Sequence, residues 1–157
     1  MVPTDPASQL QWLVDRASIS DLLIRFAHAL DNKDFDGYAA LYADDGVLEL
    51  PDPLSGAYFK LTQPELAFAV PRSLGRYSAT HHLSCNHQIE VMGDRASSRS
   101  YLQAVHVRAR PDNHWSAGGW YDCRYRREPA GWRFSRVRLT AVWISGEPGA
   151  IRPDAPG

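Results

Sequence analysis

The second half of the chain consists of long segments in which apolar and polar residues alternate. Alternation of this length predicts β-strands that have one buried and one solvent-facing side. Short stretches rich in glycine, proline, aspartate and asparagine separate the segments, as in antiparallel hairpins. The predicted strands cover residues 81–92, 95–110, 114–127 and 132–144.

The first half of the chain has helical patterns instead. Apolar residues at the i, i+3, i+4 spacing predict a helix that begins at Ser18 and ends near Asp31, after a shorter helical pattern at 10–17. Asp34 can cap a second helix whose buried side extends to Tyr42. The remaining predicted elements are a turn at 43–46, a short strand at 47–50, an extended piece at 58–61 and a third helix at 62–75.

Helices followed by a meander of strands predict an α+β domain, with the helices packed on one face of a mostly antiparallel sheet. A strongly curved sheet with helices across its mouth forms a cone, and the cavity inside the cone is the expected ligand site. A length of 157 residues fits one domain. We expect its core at about 10–145, with flexible tails at 1–8 and 146–157.

Composition and charge exclude several classes of function. A net charge of −1 gives no basic surface for nucleic acid or anionic membrane. No apolar run approaches the ~18 residues of a membrane span, and no leader peptide is visible, so a cytoplasmic protein is expected. The two cysteines lack CxxC spacing, and the histidines lack the HxH or HExxH spacing of a metal site. Neither a metal nor a cofactor is expected.

Asp31 and the adjacent pair His81 and His82 are the candidate chemical groups. Asp31 lies one turn after Ala27, at the edge of the apolar stripe, where a carboxylate can point inward at the end of the helix. The helix dipole and desolvation both disfavour its ionised form there, so it needs a donor or a cation. A buried histidine facing an aspartate is a general base with an orienting partner. The alternative is a surface aspartate that simply ends the helix.

Strand pairing leaves open which histidine faces inward. A two-residue turn at 93–94 pairs His81 with His106 and sends His82 to the opposite face of the sheet. A single β-bulge in the hairpin would bring His82 back to the face of His106.

Several segments, taken together and in order, resemble one known family. They are the helical stretches 21–31 and 34–46, then His82-Leu-Ser-Cys-Asn86, Val91-Met-Gly-Asp-Arg-Ala96 and Gly131-Trp-Arg-Phe134. The pattern resembles the SnoaL-like branch of the nuclear transport factor 2-like superfamily, nearest to scytalone dehydratase and bile-acid 7α-dehydratase. The resemblance covers roughly residues 10–143. It implies the cone-shaped, cystatin-like α+β fold.

The resemblance also implies roles for individual residues. Asp31 and His82 match the aspartate and histidine of the dehydratase site, and His106 matches a second histidine one hairpin later. Leu30 and Leu50 stand where scytalone dehydratase has tyrosines, so the pocket is more apolar and scytalone is a poor substrate candidate. Another tyrosine can supply a replacement hydroxyl. The residues expected to bind substrate are Phe26, Tyr42, Leu50, Tyr101 and Tyr121.

Two classes of function follow. The first is a cofactor-independent lyase, a dehydratase that acts on a small hydrophobic cyclic or polyketide-type substrate through an Asp–His general base. The same base would serve an isomerase, a cyclase or a dehydrohalogenase. The second is a non-catalytic small-molecule-binding or accessory protein, in which Asp31 and His82 form a structural pair.

We also expect a homo-oligomer, with a trimer ahead of a dimer. Dehydratases of the family are commonly trimers, and the outer face of such a sheet needs to be covered. Four tryptophans supply more aromatic surface than one small core requires. They are Trp115, Trp120, Trp132 and Trp143.

Overall fold

The computed structural model describes residues 3–52, 56–109 and 113–146. Residues 1–2 and 147–157 of the two predicted tails lie outside these ranges, as do residues 53–55, the predicted strand end at 110 and residues 111–112 of the turn after it. The elements in chain order are α1 (Pro6–Asp31), α2 (Phe35–Ala39), β1 (Tyr42–Pro51), β2 (Tyr58–Thr62), α3 (Gln63–Leu74), β3 (Ala79–Met92), β4 (Arg95–Val107), β5 (His114–Glu128) and β6 (Gly131–Ser145).

The strands form one six-stranded sheet in the order β2-β1-β6-β5-β4-β3. Neighbouring strands are antiparallel except β1 and β6, which run parallel. The predicted α+β fold, with helices packed on a curved, mostly antiparallel sheet, is confirmed. None of the helices in the described ranges is long and apolar enough to cross a membrane.

Bulges give the sheet its curvature, because an extra residue bends and twists its strand. One register shift lies between Gly118 and Gly119, where β5 pairs with β6. Neither position has room for a side chain. A Cβ at Gly119 would lie 1.9 Å from the Thr140 carbonyl oxygen, and a Cβ at Gly118 would lie 2.3 Å from the Trp143 ring. The two glycines therefore allow β6 to approach β5 closely where the sheet bends.

The core lies between α1 and the inner face of the sheet, and aromatic rings form its centre. Phe26 of α1 packs against Tyr38 at 5.0 Å, Tyr121 at 5.1 Å and Phe134 at 5.6 Å between ring centroids. Phe134 has no exposed surface. Full burial of a side chain of this size contributes about 1.5–3 kcal/mol to the stability of the fold. The packing of this cluster therefore contributes strongly to holding the helix on the sheet.

The predicted break in the first helix is wrong. α1 is continuous from Pro6, and its N-cap is Asp5, whose carboxylate accepts from the Ser8 N–H at 2.9 Å. Proline suits this position because its missing N–H would be unpaired there anyway. Ser18 does not cap a helix, because its hydroxyl donates back to the Val14 carbonyl at 2.9 Å. Residues 6–8, predicted to belong to a flexible tail, are therefore helical.

The predicted turn at 43–46 is also wrong. β1 begins at Tyr42, which pairs with Phe134, so Tyr42 belongs to the strand and not to α2. The register then shifts before Val47 pairs with Arg136. The aspartates and the glycine in this stretch indicated a turn, and the structure uses them for an irregular part of the strand instead.

The four tryptophans divide between the two faces of the sheet. Trp132 is buried and donates to Asp15 at 3.1 Å, and Trp115 stacks on His106, so neither adds to an exposed surface. Trp120 and Trp143 lie on the outer face, in register with outward-facing neighbours. The large hydrophobic side chains exposed there include Leu83, Tyr101 and Trp143.

The hydrophobic side chains exposed on the outer face of the sheet lead us to predict self-association. We expect further copies of the chain to cover it, giving a trimer ahead of a dimer, because exposed aromatic and aliphatic side chains on a sheet favour burial. Multi-angle light scattering at micromolar concentration should give the mass of three chains, or of two. Trp143→Lys should shift the distribution towards single chains. A single-chain mass for the unmodified protein would contradict the prediction.

Candidate active site

The last residue of α1 binds the start of β3 through its side chain. Asp31 Oδ1 lies 2.7 Å from His82 Nδ1, inside the 3.2 Å limit expected for a hydrogen bond. The same carboxylate accepts from the His82 backbone N–H at 2.9 Å and from the Thr80 hydroxyl at 3.0 Å. The carboxylate thus has three donors, all from one short segment of β3.

These donors keep Asp31 ionised at the carboxyl end of a helix. Burial raises the pKa of the Asp31 carboxyl, but the hydrogen bonds from His82 and Thr80 outweigh burial, and the pKa lies below its usual value. The helix dipole disfavours a negative charge at this end. The need for donors that the sequence indicated is therefore met by β3.

The hydrogen bond to Asp31 determines which nitrogen of His82 is available. A carboxylate only accepts, so the hydrogen-bond network assigns the ring proton to Nδ1. Nε2 then carries the lone pair, and nothing in the described ranges hydrogen-bonds to it. The side chain is only 6% exposed. His82 thus has the arrangement of a shielded base that is held in one tautomer.

A β-bulge places His82 on the inner face. Next to the turn, Met92 pairs with Arg95 and Gln88 pairs with Arg99, as a two-residue turn requires. The register shifts by one residue between Gln88 and Cys85. Beyond the shift, Thr80 pairs with His106 and His82 pairs with Ala104. His82 and His106 therefore share the inner face, and His81 is exposed on the other side.

Asn86 lies in the bulge, with a φ of 54°. Asparagine tolerates this left-handed conformation better than most residues. The neighbouring His87 ties the bulge to α1. Its Nδ1 lies 2.8 Å from the Ser20 hydroxyl, and its Nε2 lies 3.2 Å from the Ser84 carbonyl oxygen. The sequence pattern suggested only an ordinary strand residue at His87, because spacing does not reveal which strand position meets the helix.

His106 lies beside His82 in an aromatic setting. Its ring stacks on Trp115 with centroids 4.0 Å apart and an interplanar angle of 2°, and it meets the His82 ring edge-on at 5.2 Å. Its Nδ1 is buried and has no hydrogen-bond partner among the residues that the structure describes. Burial, and then the neighbouring His82, lower the pKa of His106 to about 3, with Asp31 opposing them. His106 is therefore neutral at pH 7.

The residues predicted to bind substrate are not all in place for that role. Phe26 and Tyr121 pack together at the inner face. Tyr42 is buried, with its hydroxyl 2.9 Å from that of Tyr38, and Leu50 packs at the edge of the core. The prediction that Tyr101 binds substrate is wrong. Tyr101 is 55% exposed, because alternation along β4 puts it on the outer face.

Three neighbours of the site were missed from the sequence. Thr80 is two residues before His82 and so lies on the same face, a signal that alternation does contain. Trp115 pairs with His106 because β4 ends at Val107, so the predicted end of that strand at residue 110 was wrong. Tyr77 packs edge-on against His106 at 5.1 Å, and its hydroxyl accepts from the Trp115 ring N–H at 2.9 Å. In the described part of the chain, no three histidine, cysteine or acidic side chains are grouped to hold a metal.

The chain belongs to the SnoaL-like domain family, whose model matches residues 11–138. The expected family is thus confirmed.

Known proteins and solved structures are similar to this chain. The chain is 30% identical over 125 residues to an uncharacterized protein of Mycobacterium tuberculosis, a match that covers 78% of this chain and 82% of the relative. The structure is similar to that of a protein from Kribbella flavida, at 28% identity and a TM-score of 0.77, covering 84% of this chain and 93% of that one. It also resembles a hexachlorocyclohexane dehydrochlorinase, LinA type 2, at 21% identity and a TM-score of 0.72, covering 90% and 94%.

The bulge predicts how the Asp31–His82 pair, the dyad, responds to mutation at Asn86. Deletion of Asn86 removes the extra residue of the bulge, so Cys85 should still pair with Tyr101 and His82 with Ala104, and the hydrogen bond between His82 and Asp31 should remain. Asn86→Gly should keep both the bulge and this hydrogen bond, because glycine accepts a positive φ. Proton NMR should show a low-field Nδ1–H resonance in the wild type and in both variants. A deletion variant that loses this resonance would contradict the prediction.

The lowered pKa of Asp31 predicts a pH dependence of stability. Its hydrogen bonds should stabilise the fold above the ordinary aspartate pKa of about 4 and lose their effect as pH falls through the lower folded value. Asp31→Asn should therefore be less stable than the wild type at pH 7, and the difference should shrink at about pH 3. Urea unfolding at both pH values measures it. The control Asp21→Asn removes an exposed carboxylate of the same helix and should show no such change.

Proposed function

We propose that the protein is a cofactor-independent lyase, a dehydratase that acts on a small hydrophobic cyclic or polyketide-type substrate, with His82 as the general base. The observation that carries the proposal is the hydrogen bond from buried His82, in which the partly buried Asp31 accepts from His82 Nδ1 at 2.7 Å. This contact leaves Nε2 unprotonated and without a partner among the described residues. A base that binds only through its other nitrogen is ready to accept a proton.

In the proposed first step, His82 Nε2 takes a proton from a carbon next to a carbonyl or an electron-poor ring. The C–H electrons form the new double bond, and the C–O bond to the hydroxyl group breaks. Asp31 keeps the ring in the required tautomer and stabilises the imidazolium that forms, as the aspartate of a hydrolase triad does. Its pKa lies below the usual value, so it stays ionised throughout.

The leaving hydroxide needs a proton, and His82 is the best source. A His106 pKa of about 3 means that this residue carries no acidic proton of an imidazolium near neutral pH. The proton that His82 has just accepted can pass to the hydroxide, which leaves as water. The reaction then balances with one base and no external acid, and it places the abstracted hydrogen and the hydroxyl on the same side of the substrate.

His106 is proposed as a neutral hydrogen-bond donor. Its Nδ1 is buried and unpaired, and an unpaired acceptor is tolerated better than an unpaired N–H. We therefore assign its proton to Nε2. Stacking on Trp115 holds the ring in place beside His82. From that position Nε2–H can bind the oxygen on which negative charge develops when the carbon is deprotonated.

Related proteins support the reaction type without specifying it. LinA type 2 is named as a dehydrochlorinase, an enzyme that also eliminates a leaving group. Its 21% identity establishes a shared fold only. Isomerisation and cyclisation begin with the same proton abstraction, so they differ from dehydration in what the substrate does next.

The proposal predicts that the dyad exchanges carbon-bound protons. Cyclic ketones with a β-hydroxyl, incubated with the protein in D₂O, should gain deuterium at the acidic carbon and form the enone, which ultraviolet absorbance detects. His82→Ala should slow both by about 10²–10⁴-fold. Asp31→Asn should also slow them, because the imidazolium loses its stabilising charge.

His81→Ala is the matched control, since His81 is the neighbouring residue on the exposed face. It should react like the wild type. Deuterium uptake without enone formation would favour an isomerase or cyclase. If His82→Ala exchanges protons at the wild-type rate, the pair is structural and the protein is a binding or accessory protein.

A further inference from the structure

We infer a second ligand site, separate from the dyad, that binds a small molecule with an apolar body and a carboxylate or phosphate group. It is a cleft of about 450 Å³ between the C-terminal half of α1, α2 and the start of β6. Asp31, His82 and His106 are not among the residues that line it. Its volume lies within the range of about 300–1,000 Å³ that is typical of small-molecule sites.

Arg133 is the residue that indicates an anion. It lines the cleft and is partly buried, yet it has no hydrogen bond or ion pair with any residue in the described ranges. The other partly buried arginines of those ranges all donate to an acceptor. They are Arg16, Arg108, Arg126, Arg127, Arg136 and Arg138.

A partly desolvated guanidinium is costly unless something accepts its N–H groups. The acids bound by the neighbouring arginine are not hydrogen-bonded to Arg133. Its cross-strand neighbour Arg126 already binds Asp45 at 2.6 Å and Glu128 at 2.7 Å. The missing acceptor is therefore best supplied from outside the chain.

The rest of the cleft suits the same ligand. Arg25 also lines it without an acid partner in the described residues, and His28 and Asn32 add further polar groups. Asp34 is the one acid in the lining, and its carboxylate already accepts from the Gly37 N–H at 2.9 Å. Two guanidinium groups against one carboxylate leave a formal charge of +1.

The apolar part of the lining defines the body of the ligand. Ala29 of α1 and Ala40 and Leu41, just after α2, line the cleft beside the charged groups. A site with apolar walls and a few placed donors selects an amphipathic small molecule over a bare ion. Arginine binds both carboxylate and phosphate in a two-pronged geometry, so either group fits the chemistry.

Titration calorimetry with three probes of one shape tests the inference. Phenyl phosphate and benzoate should bind, and uncharged benzyl alcohol should bind at least tenfold more weakly. The stronger of the two anions identifies the head group that the site prefers. Arg133→Gln and Arg25→Gln should each weaken anion binding by about tenfold or more, the loss expected for a charged hydrogen bond.

Arg124→Gln is the matched control, because Arg124 is an exposed arginine of β5 that also lacks an acceptor among the described residues. It removes the same charge and should change binding less than twofold. Thermal unfolding of each variant shows whether the fold is kept. Equal weakening by all three substitutions would mean an adventitious ion only and would overturn the inference. Loss of binding in His82→Ala instead of Arg133→Gln would place the anion at the dyad and would also overturn it.

Discussion

The site depends on the carboxylate of Asp31 at the end of α1. A negative charge at this end of a helix is unfavourable, and burial adds to the cost. Three donors from Thr80 and His82 offset both effects. The same hydrogen bonds attach the helix to the start of β3 and orient the imidazole. One set of hydrogen bonds therefore both supports the end of the helix and orients the base.

Two further contacts hold α1 along β3 and so maintain that geometry. Ser20 meets His87 at the bulge, and the Arg16 guanidinium donates to the Ile89 carbonyl at 2.5 Å. Farther from the site, Asp15 receives two hydrogen bonds from Arg127, at 2.8 and 2.7 Å, and one from the Trp132 ring N–H. The hydrogen bonds from Arg127, above all, lower the pKa of Asp15. The helix is thus anchored near its middle and at its C-terminal end by carboxylates that face the sheet.

Several arginines on β5 and β6 alternate with apolar residues. This alternation correctly indicates the face of the sheet on which they lie, but it does not reveal which of them bind an acid. Their spacing predicts a solvent-facing side of the sheet, and Arg136 and Arg138 do lie there. Both nevertheless bind Glu49, which is only 3% exposed. Although burial raises the pKa of Glu49, these two arginines bring it down to about 2. Arg133, on the same strand and also partly buried, has no such partner among the described residues.

The sequence by itself determined the α+β class, the order of helices and long strands, and the candidates Asp31 and the pair His81 and His82, while the family resemblance indicated His82 and His106. Hydrophobic period and turn residues are local properties, so they can be recognised without knowing what packs against what. Errors arose where local signals compete, as at Ser18 inside a continuous helix and in the 43–46 segment of β1.

Only the tertiary structure decided which histidine meets Asp31. One extra residue near Asn86 reverses the face of every residue beyond it, and nothing in the sequence between 81 and 94 records that shift. The tertiary structure also excluded Tyr101 and added Thr80, Trp115 and Tyr77 around the two histidines. Pairing across strands and the fit of a helix against them depend on residues far apart in the chain, and for that reason the details of the site appear only when the chain is folded.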